Sequence, residues 1–63
     1  GMLKWLFMNT TIGNRNGNLF RYFKFLQDIN SPDPESKIKY ANNMLTNPLN
    51  EQEIKSLIRS ANR

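Results

Sequence analysis

Apolar residues in this chain recur at intervals of three and four, and nowhere alternate with polar ones as a half-buried strand requires, so the pattern predicts helices throughout. The first, roughly Leu3 to Met8, is apolar almost all round, with Leu3, Leu6 and Phe7 on one side and Met2, Trp5 and Met8 on the others. Such a helix is expected to be covered on more than one face. Asn9 through Gly13 breaks the pattern, with Gly13 offering a positive φ and Asn14 or a neighbouring asparagine a cap. A second helix then runs to about Asp28 on a stripe of Leu19, Tyr22, Phe23, Leu26 and Ile29, flanked by Phe20 and Phe25. It is the expected central element.

Asp33, Pro34 and Glu35 announce a third helix: a cap, a proline at the first helical position and an acid that complements the dipole. Pro34, Ile38, Ala41 and Leu45 line its face, and Thr46-Asn47-Pro48 stops it, since the residue before a proline avoids helical geometry. The fourth helix has the clearest start. Asn50 and Glu53 form an Asn-headed capping box, Leu49 and Ile54 occupy the staple positions, and Leu57, Ile58 and Ala61 continue the apolar face. The fold class expected is all-α, a small four-helix bundle-like domain.

Arg15 is the residue this pattern does not explain. Counting about 100° per residue, its side chain falls inside the apolar stripe of the second helix, in a first turn where the macrodipole disfavours a cation. It needs an anion. Glu53, beside the Ile54/Leu57 face, is the internal partner we favour, as a bidentate pair fixing the register of two helices. The alternative is a phosphate from outside, held by Arg15 with Asn14, Asn16 and the free N–H groups of the first turn.

Gly13-x-Arg15-Asn16-x-x-Leu19, then Ala41-Asn42, then Pro48-Leu49-x-x-x-Glu53 and Ser60-Ala61 resemble, in order and spacing, the helical primase C-terminal domain of phage and plasmid replication primases and primase-helicases. The likeness covers roughly residues 12–62. Phe23 departs from it, standing where the family's pattern has a small residue such as alanine. The resemblance implies an accessory to primer synthesis that does not itself polymerise nucleotides, with the catalytic centre elsewhere in the parent chain.

Length and composition narrow the reading. The 63 residues make a single domain, and a chain of this size buries only about 60% of its unfolded surface. Gly1 before Met2 reads as an expression scar, and helix-forming sequence begins at once, so a fragment of a larger replication protein is expected. With no cysteine there is no disulfide framework; with no long apolar run or secretory signal, no membrane segment is expected and a cytoplasmic setting, in a bacterial or archaeal cell or phage host, is the default.

Neither histidine nor cysteine is present, and the carboxylates Asp28, Asp33, Glu35, Glu51 and Glu53 read as surface or helix-start residues rather than a metal-holding set. No catalytic residue, metal site or cofactor is expected. A net charge of +4 and a pI near 9.9 favour a polyanionic partner. Lys55, Arg59 and Arg63, four residues apart, either follow a phosphate backbone or form a solvated helix face. Lys37, Lys39 and Tyr40 form a second patch, in which Tyr40 stacks on a base or packs on protein. Trp5 and Leu6 are candidates for an interface with a neighbouring domain, or simply close the core.

Two functions remain. In one, the domain helps a primase catalytic domain engage a single-stranded DNA template and start a primer, through weak, salt-dependent contacts. In the other it is a structural connector or interaction module between primase and helicase domains, without direct DNA contact.

Overall fold

The computed structural model describes residues 1–63 as four helices, α1 (Met2–Asn9), α2 (Arg15–Asp28), α3 (Pro34–Asn43) and α4 (Glu51–Ala61), with no strand. The chain is a small all-α bundle-like domain in which α2 is the hub, packing against each of the other three helices. Its stripe supplies Leu19, Tyr22, Phe23 and Leu26 to the core. Phe23, where a small residue was expected from the resemblance, is fully buried. Burying a side chain of that size contributes about 1.5–3 kcal/mol, so the bundle is built around its ring. Burial also pushes the Tyr22 phenol above its ordinary pKa.

The expected stripe overshoots by one residue. Ile29 is the C-cap of α2 and 55% exposed, because the chain reverses immediately after it. Asn30 takes a left-handed conformation (φ 55°). Its N–H donates to Gln27 O at 3.0 Å and that of Ser31 to Leu26 O at 2.9 Å. These two bonds make a Schellman ending with asparagine in the usual glycine position.

Around α2 the other helices differ in how completely they are covered. Helix α1 turns Leu6 into the core with Met2 and Trp5 packed beside it, while Leu3 and Phe7 are over a third exposed and Met8 is 74% exposed. The expectation that α1 is covered on several faces is therefore corrected: α2 offers it one surface only. Gly13 is corrected too, since no glycine has positive φ. Asn14 is the N-cap residue of α2 but makes no capping bond; its Oδ1 accepts from Thr11 N–H at 2.7 Å and its Nδ2 donates to Asn9 O at 3.0 Å. The asparagine orders the α1–α2 turn instead of the helix end.

At α3, Asp33 caps as expected, its carboxylate accepting from Ser36 N–H at 3.3 Å with Pro34 in the first turn. Asp33 itself has φ 48°, a left-handed conformation that asparagine and aspartate tolerate best among residues other than glycine. At α4 the capping box is complete: Glu53 N–H donates to Asn50 Oδ1 at 2.8 Å, and Asn50 N–H to Glu53 Oε1 at 2.9 Å. Ile54, Leu57, Ile58 and Ala61 bury on one face.

The last turn of α3 carries the one buried polar residue. Asn42, 3% exposed, uses its whole side-chain amide on Leu49: Nδ2 donates to Leu49 O at 2.9 Å, and Leu49 N–H donates to Oδ1 at 2.8 Å. The turn between the helices is thereby closed as a loop, with Leu49 pressed into the core. At the far end of α4, Lys24 Nζ donates to Ala61 O at 3.4 Å and Gln27 Nε2 to Asn62 Oδ1 at 2.6 Å. The first places a cation at a helix C-terminus, where the macrodipole favours one.

Two outcomes follow from these contacts. Asn42→Ala strands the N–H and C=O of a buried residue, at about 1–3 kcal/mol for each group left unpaired. A large drop in the thermal midpoint is expected, against a change within about 0.5 kcal/mol for Asn43→Ala at its exposed neighbour. The hydrogen bonds from Ser36 hold the Asp33 carboxyl below its ordinary pKa. Its stabilising contribution is therefore complete above the ordinary carboxylate range and is lost as pH falls through the lowered folded value. Asp33→Asn, which still caps but does not titrate, should show a shallower acid-side decline in unfolding curves measured against pH.

Candidate nucleic-acid interface

Cationic side chains reach this surface from α2, α3 and α4, and the fold sorts them into those already engaged and those left free. Arg15 is engaged. From the first position of α2 its Nη1 donates to Asn47 O at 2.8 Å and to Pro48 O at 3.2 Å. Glu53 is meanwhile occupied by the Asn50 N–H in the capping box. The expected Arg15–Glu53 pair is thus corrected: the internal acceptors are two backbone carbonyls of the α3–α4 turn, groups that every residue carries and no side-chain pattern marks. Carbonyl dipoles supply the negative end that a cation in a first turn needs. The rest of the half-buried guanidinium borders a depression of about 30 Å³ with Thr10, Thr11 and Thr46, while Asn16 is exposed beside it.

The Lys37/Lys39/Tyr40 patch divides. Lys37 Nζ donates to Ser31 Oγ, so this half-buried lysine braces the turn between α2 and α3. Lys39, two residues on, lies on another side of the helix, exposed and facing α4. Tyr40 is 63% exposed on the same helix.

On α4, Lys55 and Arg59 are exposed and one turn apart, with Lys55 on the flank toward α3. Arg63 is also exposed but lies beyond the end of α4, at Ala61. The three-cation row is corrected to a helical pair followed by a residue outside the helix.

What the pattern of single helices did not show is that Lys39 and Lys55 belong to one feature. Helices α3 and α4 both lean on α2, and a cleft of about 280 Å³ opens between them. Lys39 and Asn43 border it from α3, Glu51 and Lys55 from α4, and Leu49 and Ile54 form its apolar base. The Asn42–Leu49 bonds close one end. Only the pairing of helices across the turn could have revealed it.

The interface candidates on α1 also change places. Leu6 is fully buried, and Trp5 is half-buried, packed on the core with the Arg21 guanidinium 5.5 Å from its ring centroid. That stacking adds about 0.5–1 kcal/mol at a site of this exposure. The apolar surface that α1 presents to solvent is Leu3, Phe7 and Met8 instead.

No three carboxylates converge in a metal-holding group, and no helix is long and apolar enough to cross a membrane. No family model matches the chain, nor does any curated protein or solved structure.

The two partners of the abandoned ion pair should respond differently to substitution. Glu53→Gln keeps an oxygen for the Asn50 N–H, so its cost is expected below about 0.5 kcal/mol. Arg15→Met leaves two carbonyls without their donor, at about 1–2 kcal/mol, discounted for partial exposure. Thermal unfolding of both variants checks this; equal, large losses would restore the ion pair.

Proposed function

We propose that this chain is a non-catalytic accessory domain of a DNA-replication primase of phage or plasmid type, which helps the catalytic domain engage a single-stranded template and begin a primer in the cytoplasm of the host cell. The observation that carries the reading is where five of the residues of the resemblance meet. Arg15, Asn42, Pro48, Leu49 and Glu53, scattered over 39 positions of the sequence, all act on the turn between α3 and α4 or on the start of α4. A likeness made of short, degenerate pieces gains weight when the pieces form one structural unit. Beside that unit lie Lys39 and Lys55, with Arg59 one turn farther along α4, all exposed and free of internal acceptors, on a chain of net charge +4.

The mechanism is positioning. A single strand crossing the α3–α4 surface meets cations that neutralise successive phosphates and release counterions, which gives affinity without sequence preference. Tyr40, beside Lys39, supplies a ring for a base to stack on. Polymerisation, with its metal ions and clustered carboxylates, belongs to the catalytic domain.

A second reading is favoured by one observation, the solvent-facing Leu3, Phe7 and Met8 of α1. As a connector, the domain would seal that surface against a primase or helicase domain and need no DNA contact.

Titrating fluorescent single-stranded DNA at several salt concentrations separates the two. Template engagement predicts weak binding with a slope of about −0.7 in log K against log salt per phosphate contacted. Replacing Lys55, Arg59 and Arg63 by glutamine should then reduce both affinity and slope with helicity unchanged, and in the parent primase impair initiation more than elongation. Unchanged affinity and initiation in the triple variant, with loss of domain assembly in Phe7→Ser, would establish the connector instead.

A further inference from the structure

The cleft between α3 and α4 holds four polar side chains, Lys39, Asn43, Glu51 and Lys55, none of which has a hydrogen-bond partner within the protein. Glu51 and Lys55 are one turn apart on α4, in the order that favours an ion pair on a helix, yet both remain unpaired beside the cavity. All four side chains are exposed, and the base beneath them is aliphatic, Leu49 and Ile54. At about 280 Å³ the space lies at the lower end of the range for small-molecule pockets, which suits one ring and its phosphate rather than a longer segment.

This set has a definite chemistry. Two ammonium groups on opposite walls, Lys39 from α3 and Lys55 from α4, attract a phosphate. The aliphatic base accepts the flat face of a heterocycle. The Glu51 carboxylate is acceptor-only and so selects a ring bearing an N–H₂ group, while the Asn43 amide both donates and accepts. Among DNA bases, cytosine and adenine carry an exocyclic amine at the position where thymine and guanine carry a carbonyl, and guanine's own amine is on C2.

We propose that the α3–α4 cleft is a subsite for a single nucleotide of the bound strand, its phosphate between Lys39 and Lys55 and the exocyclic amine of cytosine or adenine directed to Glu51. The inference rests on the template-binding reading and deepens it: the strand is not only followed along α4 but sampled at one position. Thymine there would set its O4 carbonyl against the carboxylate and leave Glu51 only the ring N3–H as a donor. Arg59, exposed one turn beyond Lys55 on α4, gives the strand its path away from the cleft.

The test compares binding of fluorescent oligo-dC, oligo-dA and oligo-dT by the full chain at low salt. The expected result is oligo-dC and oligo-dA tighter than oligo-dT by about five-fold, a fraction of what a full bidentate base contact provides. Glu51→Gln should remove most of that preference while strengthening binding overall, because it deletes a negative charge. Lys39→Gln should weaken all three oligonucleotides in parallel. Both residues are exposed, and unchanged helicity confirms that the variants fold. Equal binding of the three oligonucleotides, or indifference to Lys39→Gln and Glu51→Gln, overturns the subsite but leaves template engagement by α4 standing. No binding of any oligonucleotide overturns both. The mononucleotide dCMP tests the source: competition only at far higher concentration than the strand supports a strand subsite, and competition at equal nucleotide concentration overturns it in favour of a site for free nucleotides.

Discussion

Two hydrogen bonds between one side-chain amide and one backbone unit, Asn42 to Leu49, decide where α4 sits. The reason is the cost of the alternative. Leu49 is in the core, and a buried N–H and C=O without partners would lose more than their hydrogen bonds return when made. Asn42 has one donor group and one acceptor in the geometry of a peptide, so it pairs with Leu49 as a neighbouring strand would. Arg15 reaches the same turn from α2 and takes the two preceding carbonyls, of Asn47 and Pro48. Immediately after it, the Asn50–Glu53 box satisfies the first turn of α4. Three successive sets of polar contacts thus fix the four residues Asn47 to Asn50 of irregular backbone in a domain with few buried side chains to spare.

That constraint reaches the surface where function is proposed. Helices α3 and α4 each pack chiefly on α2, so their separation is set by the turn that joins them and not by contact along their lengths. The cleft bordered by Lys39 and Lys55 is the consequence. At the opposite end Lys24 and Gln27 tie α2 to the last turn of α4, so the helix is held at both ends while its outer face stays open. The residues that hold this turn are scaffold, and the free cations beside it are the surface.

Where local chemistry specified an element, the chain was readable. The capping box at Asn50 and the Asp33-Pro34 start appear as their side chains require, because each depends on residues within a few positions of one another, whereas α3 ends at Asn43, short of Leu45 and of the expected Thr46-Asn47-Pro48 stop. What was not readable depended on the backbone or on distant neighbours. The sequence directs Arg15 to a carboxylate because carbonyl acceptors leave no trace in it. Ile29 was placed in the core because its spacing fits the stripe, whereas the reversal at Asn30 is marked by one asparagine among ten. Leu6 and Leu3 look alike in an apolar helix, and only the position of α2 separates a buried side chain from an exposed one. The cleft was invisible for the same reason, since its five polar residues belong to two helices whose facing sides are set by the turn.

The central claim, that the turn between α3 and α4 is held as firmly as the core, is tested most directly by amide hydrogen exchange at Leu49. If the Asn42 bonds persist until the whole domain unfolds, the Leu49 N–H should exchange with the same opening free energy as the most protected amides of α2. Exchange near the rate of an unstructured peptide, while the α2 amides remain protected, would contradict the account by showing that the turn opens on its own.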